Sequence, residues 1–575
     1  LFFAAPGAVL DVEGAALDEA LIGAWRARVG HAAAHLGWPP PATVARAHRR
    51  GTSLALTAPP DQLLLATEVN EWALCAALLE HQPERWSHLE EALVAAASAE
   101  PPPVIEASAA LARFAALAAR EANPRLRPLL EAAAARRLPQ ILDESLLTLG
   151  AGAGAQPFPL TALPAVGEVA WQTLHDIPTV LVTGSNGKTT TVRLLAACAR
   201  AHGWHTGFNC TDGVYVDTEP QASGDYSGPA GARSVLRDPR VEAAILETAR
   251  GGILRRGLAV SQAHAAVITN VSPDHFGEYG IDDLEGVAQV KFVVAAVVAP
   301  DGLLVLNADD PHLRRQADGL ARRFGRCPPL GWFSLDPDPS VLRAERARGE
   351  PLCTVHSGHL RLRLRGIEHD LGPIAGMPLS MGGSAAYNVA NIAGAALAAA
   401  ALGIAPPTIA GVLARFGARL EDNPGRMMRF DLRGATVLVD YAHNVDGLRG
   451  FLGVARHLRG ASGRLGMLLG QAGNRTDADI EDLAHVVSEF APDLVVIKEN
   501  DTQLRGRAPG EVPRILRTAL ERLGMPPAAL PLAGNEVEAA RHALDWARPG
   551  DVLALPVHSA GARAAVIDML RTRGT

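Results

Sequence analysis

The segment Val180-Leu181-Val182-Thr183-Gly184-Ser185-Asn186-Gly187-Lys188-Thr189-Thr190-Thr191 narrows most sharply what this chain can fold into. A β-branched run, a glycine-punctuated turn and a helix-compatible stretch form a strand-to-helix unit, with backbone amides gathered at a helix N-terminus that suits polyphosphate. Gly184 and Gly187 let the backbone approach phosphate oxygens, and Lys188 can reach the β and γ phosphates. The Thr189 or Thr190 hydroxyl can join a Mg²⁺ shell. ATP is the ligand these residues point to. The spacing Gly-x-x-Gly-Lys-Thr is shorter than the general Gly-x-x-x-x-Gly-Lys-Ser/Thr loop, so that template alone does not match. The bland alternative, a turn carrying a surface lysine, is disfavoured by the strand before it and the helix after it.

Composition sets the frame around this unit. A chain of 575 residues suggests three or four domains and excludes one small module. With 48% apolar and 20% charged residues it is an ordinary globular sequence. Lys and Arg number 54 against 61 Asp and Glu, a net charge of −7, which lacks the broad positive field of a nucleic-acid binder. The five cysteines (Cys75, Cys198, Cys210, Cys327, Cys353) are scattered and form no CxxC pair, which fits a reducing cytoplasm. The opening Leu1-Phe2-Phe3-Ala4-Ala5-Pro6 has no basic n-region and reads as a trimmed start, not a signal. The apolar stretch 385–405 contains Tyr387, Asn388 and Asn391 and is mostly alanine, so it reads as a buried helix and no membrane partner is expected.

Up to residue 148 the chain is rich in Ala, Leu, Arg and Glu, with helical periodicity over 61–79 and 105–119. This is a mainly helical (α+β) N-terminal domain, followed by a Gly- and Pro-rich linker over 149–166. From 167 to 423 short β-branched runs at Thr179–Thr183, Ala243–Glu247, 265–270 and 303–306 alternate with helices, an α/β pattern with a largely parallel sheet. The alternation over 360–364 predicts an antiparallel strand in a local insertion. Residues 424–575 repeat the α/β pattern, with strands near 435–439, 465–469, 494–497 and 552–555 and helices over 480–490 and 537–547, a doubly wound, Rossmann-like domain.

Gly184-Ser185-Asn186-Gly187-Lys188-Thr189-Thr190 resembles the nucleotide loop of the Mur ligases, a group that includes the folylpolyglutamate synthetases. Further matches follow in the same order: Glu247-Thr248-Ala249-Arg250-Gly251-Gly252-Ile253-Leu254-Arg255-Arg256-Gly257, Asn270-Val271-Ser272-Pro273-Asp274-His275, Lys291, Leu306-Asn307-Ala308-Asp309-Asp310-Pro311, Tyr387-Asn388-Val389-Ala390-Asn391, Pro424-Gly425-Arg426-Met427 and Asp440-Tyr441-Ala442-His443-Asn444. The Glu247–Gly257 run and Leu504-Arg505-Gly506-Arg507 are most similar to the Mur-ligase half of cyanophycin synthetases. The segment 136–150 resembles the one that leads into the ATP-grasp domain of that family. About 35 residues separate it from the phosphate loop, so the ATP-grasp domain is expected to be missing. Trp72 stands where the family's N-terminal domain has a histidine, which leaves that domain a docking or scaffolding role by default, and Val445 stands where its last motif has a proline, so that turn is expected to be less rigid.

The resemblance implies a Mur ligase central ATPase domain and C-terminal domain that activate a carboxylate as an acyl phosphate and couple it to an amine. ADP and phosphate are released. Lys188, Glu247, His275 and Lys291 are then the catalytic set, with Thr189, Glu247 and His275 as Mg²⁺ ligands. Lys291 lies 16 residues after His275, where many Mur ligases carry a carbamoylated lysine; an ordinary helix lysine is the alternative. Gly184, Ser185, Asn186, Gly187, Lys188, Thr189 and Thr190 are expected to hold phosphate. Asn388 and Asn391 would lie near adenine, Arg426 near phosphate or ribose, Asp440 near the ribose hydroxyls, and His443 toward the same site.

Substrate selection is expected from the C-terminal domain and from the arginines after Glu247. Asn474, Arg475, Asp477, Lys498, Glu499, Asn500, Asp501, Arg505 and Arg507 are candidates to hold an amino acid, and Arg250, Arg255 and Arg256 to grip an acidic acceptor. Each can equally be a solvated loop charge. The expected partners are an amino acid, with arginine or another basic one the candidate, and a peptide or small acceptor bearing a carboxylate. A homo-oligomer and an enzyme supplying the acceptor are also expected. The competing reading is a non-polymerising, nucleotide-binding regulatory subunit, disfavoured by retention of Lys188, Thr189, Glu247, His275, Arg426 and Asp440 together.

Overall fold

An unbroken β-branched run can be buried on both faces only inside a sheet covered by helices. Thr179–Thr183 meets that condition: every residue is buried, between the parallel strands Ala243–Glu247 and Ala263–Ile268. The computed structural model describes residues 5–14, 16–96, 103–273, 276, 278–336, 340–460 and 462–574. The chain divides into two units, one of residues 1–176 with 276–286, the other of 177–275 with 287–575.

In the first unit, strands Gly7–Glu13, Gly51–Thr57 and Thr43–His48 form an antiparallel sheet with Gly51–Thr57 in the centre. The helices Glu19–His35 and Leu63–His81 share one apolar core with it, built around Trp25, Leu54, Leu56 and Phe114. Asn70 satisfies two buried groups there, accepting from Trp25 Nε1 at 2.9 Å and donating to the Leu54 carbonyl at 3.2 Å. Trp72 is a core residue whose Nε1 donates to the Ile105 carbonyl at 3.0 Å and whose ring meets Phe114 edge-on. Glu68 on the same helix pairs with the buried Arg113 at 2.7 Å. The stretch expected as a linker is ordered instead: Gln156–Pro159 pairs with Leu146–Leu149, which pairs with Gln140–Leu142. Its Gly/Pro content serves short turns in place of a loose connection.

The second unit carries two sheets. Among the described residues the larger has eleven strands, with seven parallel ones from Thr206–Cys210 to Leu352–His356 flanked at both edges by antiparallel strands. The expected insertion is therefore a continuation of this sheet: His359–Leu364 and Ile367–Pro373 extend its edge as hairpins. Its alternating Leu360 and Leu362 join the main core. The Ala-rich helix Ala386–Ala401 lies on that core, and its small side chains allow a close approach. A Cβ on Gly394 would sit 3.1 Å from the Phe333 ring. Among the described residues no helix is long and apolar enough to cross a membrane.

The second sheet runs in the order Met428–Leu432, Ala435–Asp440, Val552–Pro556, Leu465–Leu469, Leu494–Lys498, Leu532–Ala533, parallel except for its first strand. Alternation assigns its side chains to two cores, Leu438, Met467, Val495 and Ala554 on one face, Val439, Leu468, Val496 and Leu555 on the other. At the end of Leu494–Lys498 the alternation delivers a lysine into the interior. Lys498 is fully buried, ion-paired with Glu536, and donates to the Pro556 carbonyl at 2.6 Å. Glu536 in turn accepts from the amides of His558 and Ser559, each at 2.8 Å. Lys498→Ala leaves that carboxylate buried and unpaired, and is expected to destabilise the chain by about 3–5 kcal/mol, read from denaturant unfolding followed by circular dichroism. Removing both partners together is expected to be less harmful than removing the lysine alone.

Candidate active site

The turn after Thr179–Thr183 is held open by its glycines. Gly184 has φ +152 and Gly187 φ +83, the latter capping helix Lys188–His202. A Cβ on Gly184 would lie 1.8 Å from Thr269 Oγ1, and one on Gly187 2.1 Å from Asn391 Oδ1, so both positions must be glycine on spatial as well as backbone grounds. The loop is clamped from the neighbouring strand end. The amides of Ser185 and Asn186 donate to the carbonyl and Oδ1 of Asn270 at 3.0 and 2.8 Å, and Thr269 Oγ1 donates to the Asn186 carbonyl at 2.6 Å. Lys188 Nζ folds back on the Gly184 and Ser185 carbonyls, each at 3.0 Å, where its charge faces the concavity of the loop.

Glu247 ends the adjacent strand and has no exposed surface. Its two oxygens accept from Thr189 Oγ1 at 2.8 Å and Thr211 Oγ1 at 3.2 Å. Burial raises its pKa, opposed by Lys188, the Thr189 hydrogen bond and Arg426. One carboxylate flanked by hydroxyls is an all-oxygen donor set, which fits Mg²⁺ completing its shell with substrate phosphate and water. Among the described residues no group of three or more His, Cys, Asp or Glu could hold a metal by itself.

The opposite wall comes from the second sheet. Asp440 at the end of Ala435–Asp440 accepts from the Met427 amide at 2.7 Å and the Ala442 amide at 2.8 Å. Its pKa is also raised by burial, with Arg426 pulling the other way. Arg426 lies over the Tyr441 ring, 4.3 Å from its centre. Neutral hydrogen bonds tie this wall to the loop: Asn444 Nδ2 to Asn186 Oδ1 at 2.9 Å, and Asn423 Nδ2 to Thr190 Oγ1 at 3.2 Å. Ser185, Asn186, Gly187, Lys188, Thr189, Thr190, Glu247, Asn388, Asn391, Arg426, Asp440 and His443 thus line one cavity of about 300 Å³.

Comparison with known families matches residues 182–327 to the Mur ligase middle domain and 425–555 to the Mur ligase, glutamate ligase domain. A UDP-N-acetylmuramoyl-L-alanyl-D-glutamate--2,6-diaminopimelate ligase of Alkalilimnicola ehrlichii is 32% identical over 412 residues, spanning 69% of this chain and 76% of that protein. This chain belongs to the Mur ligase family. Cyanophycin synthetases of Synechocystis sp. and Trichormus variabilis are 38% and 35% identical, over 64% and 69% of this chain. The chain spans about two fifths of their length, 41% and 43%. Escherichia coli FolC in complex with DHPP and ADP shares the fold, with TM-score 0.51 and 19% identity over 69% of this chain and 89% of that one. So does Mycobacterium tuberculosis folylpolyglutamate synthase complexed with ADP and AMPPCP, with TM-score 0.51 and 19% identity over 68% and 91%.

Within this Mur ligase fold the other expected site residues fall elsewhere. His275 lies outside the described residues. Lys291 is buried at the end of helix Leu284–Lys291 and is not on the cavity wall. None of the residues expected to select substrate lines the cavity either. Arg250 is buried at the start of helix Arg250–Arg256, and Arg255 Nε donates back to the Gly251 carbonyl at 3.1 Å. The Glu499 oxygens accept from the Asn500 and Gly510 amides at 3.0 and 2.6 Å, and Asp501 turns to the Thr502 amide at 2.9 Å. Asn474 is exposed, and the Arg475 carbonyl accepts from Arg507, which also pairs with Asp477 and Glu511. Arg505 is exposed with φ +43. Strand ends attract ligand sites in such sheets, but backbone amides compete for the same carboxylates. Thr211 and Asp446 line the cavity without having been expected there; Asn270, Ser272 and Tyr441 stood in matched motifs without a role.

The raised pKa of Glu247 has a stability consequence. A carboxyl favoured in its protonated form stabilises the fold below its unfolded pKa, and that contribution is lost as pH rises through the higher folded value. Without divalent metal at neutral pH, Glu247→Gln is expected to melt above the wild type, by differential scanning fluorimetry, with the gap closing as pH falls into the usual carboxylate range. Added Mg²⁺ is expected to stabilise the wild type only.

Proposed function

We propose that this chain is an ATP-dependent, ADP-forming ligase that joins an amino acid to a carboxylate-bearing peptide or small acceptor. The observation that carries this reading is the loop stretch Ser185–Thr190 set against the buried Glu247 and faced by Arg426 and Asp440 in one cavity. A carboxylate oxygen of the acceptor attacks the γ-phosphorus, the bond to the β-γ bridging oxygen breaks, and ADP leaves. The amine nitrogen then attacks the acyl phosphate carbon, loses a proton, and inorganic phosphate departs. Such a transfer needs alignment and charge neutralisation more than a protein nucleophile. Lys188 swings from its own loop carbonyls to the phosphates, the loop amides hold their oxygens, and Arg426 balances charge from the opposite wall. Mg²⁺ held by Glu247 and Thr189 neutralises phosphate charge when bound. Asn388 and Asn391 bound the nucleotide on one side, and Asp440 and His443 on the other; His275 would serve as a second metal ligand, with Lys291 supporting it.

The similarity of the Glu247–Gly257 run to cyanophycin synthetases supports arginine or another basic amino acid as the amine. Only short turns and the strand Gln156–Pro159 stand between Leu146–Leu149 and the phosphate-loop strand, a spacing that supports loss of the ATP-grasp domain and therefore a single addition, or modification of an acceptor made by another enzyme. Five unpaired cysteines support a cytoplasmic site of action. The domain limits proposed for this activity are 167–423 and 424–575.

The test is phosphate release with ATP and Mg²⁺ across a matrix of acidic peptides and single amino acids, with mass spectrometry of each active pair. Release only when acceptor and amine are both present, with an adduct equal to their sum less one water, is expected. Lys188→Ala is expected to lower turnover by about 10²–10³-fold or more while leaving the fold intact. A wild type that binds nucleotide but makes no adduct in any pair would favour the regulatory reading.

A further inference from the structure

We propose that Arg563 is a positioning residue, a latch that draws the C-terminal domain onto the turn supporting Glu247 and so sets the closed, reactive site; this rests on the ligase reading. Arg563 lies in the last helix, Ala560–Gly574, and is buried. Its Nη2 donates to Asp212 Oδ1 at 2.8 Å, across 351 residues of sequence. Asp212 sits in the turn between strands Thr206–Cys210 and Gly213–Val216 of the middle domain. The acid is prepared from its own side: Arg193, stacked over Phe208 and Tyr215 at 5.5 and 4.8 Å, approaches Asp212 Oδ2 at 3.6 Å.

Both ends of the latch are one residue from the chemistry. Thr211, next to Asp212, donates to Glu247 at 3.2 Å. On the other side Arg563 packs on Gly425, where a Cβ would fall 2.5 Å from Arg563 Cδ, and Gly425 precedes Arg426 on the cavity wall. One guanidinium therefore ties the carboxylate wall to the arginine wall. A cavity lined by two domains must part to admit substrates and close to align them. The neutral bond Asn444–Asn186 is readily exchanged for water, whereas a buried charge-assisted bond biases the closed form more strongly.

The test compares wild type, Arg563→Ala, Arg563→Lys, Asp212→Asn and the double Asp212→Asn/Arg563→Ala, each checked by circular dichroism to be folded at the assay temperature. Arg563→Ala is expected to lower kcat by about tenfold with a much smaller change in the KM for ATP, Arg563→Lys to retain part of the loss, and the double variant to be no worse than the worse single. Hydrogen exchange without any ligand is expected to be faster over residues 210–213 and 440–444 in Arg563→Ala. Wild-type kcat and exchange in Arg563→Ala, or strictly additive losses in the double variant, would overturn the latch. If the wild type turns over no ATP with any substrate pair, the ligase reading fails, and the ligand-free exchange comparison still decides the latch.

Discussion

A carboxylate withdrawn from water at the end of a central parallel strand must be answered by its neighbours, and the surroundings of Glu247 are that answer. Thr189 on the first turn of the loop helix and Thr211 on the adjacent hairpin each donate a hydroxyl hydrogen, while Lys188 and Arg426 supply positive charge. Burial still raises the pKa, so ligand-free the group stands at an energetic disadvantage that a cation would relieve. Stability is given up at one point where binding gains from it.

Space is the second constraint. The loop can cup an anion only where its backbone is bare, and the structure fills the volume beside each glycine with a polar side chain, Thr269 against Gly184 and Asn391 against Gly187. Thr269 Oγ1, which forbids a side chain at Gly184, also tethers the loop to the neighbouring strand through the Asn186 carbonyl. The loop is thus formed before any ligand arrives, which lowers the entropy lost on binding.

The two Mur domains meet through a graded set of contacts. Asn444 makes a neutral bond to the loop, and the Arg563–Asp212 pair adds charge behind it. Behind Tyr441 and Ala442 lies His558, which contributes Nε2 to the Ala442 carbonyl at 3.1 Å and whose pKa is lowered to about 3 by burial. Its neutral ring supports that wall without placing another charge beside Asp440. Glu536, paired with Lys498, accepts from the His558 amide, so a charge buried in the second domain's interior fixes the placement of a cavity wall.

By itself the sequence determined the loop, the central strands and the order of motifs, because glycine spacing and β-branched runs act through local backbone geometry. Ser185 to Thr190, Glu247, Asn391, Arg426 and Asp440 were legible as one site only through their ordered resemblance to a family, since no local rule brings Lys188 near Asp440. The substrate candidates were not resolved at that level. Sequence marks Glu499 as a charge near a strand end, and tertiary structure decides that two backbone amides occupy its oxygens. Likewise Lys498 reads as a loop cation until the sheet places it in the interior beside Glu536. Thr211, Asp212 and Arg563 carry no pattern of their own. Their roles arise where two separately folded sheets meet, and the partner of a polar group there is chosen by distance and desolvation, which chain order does not encode.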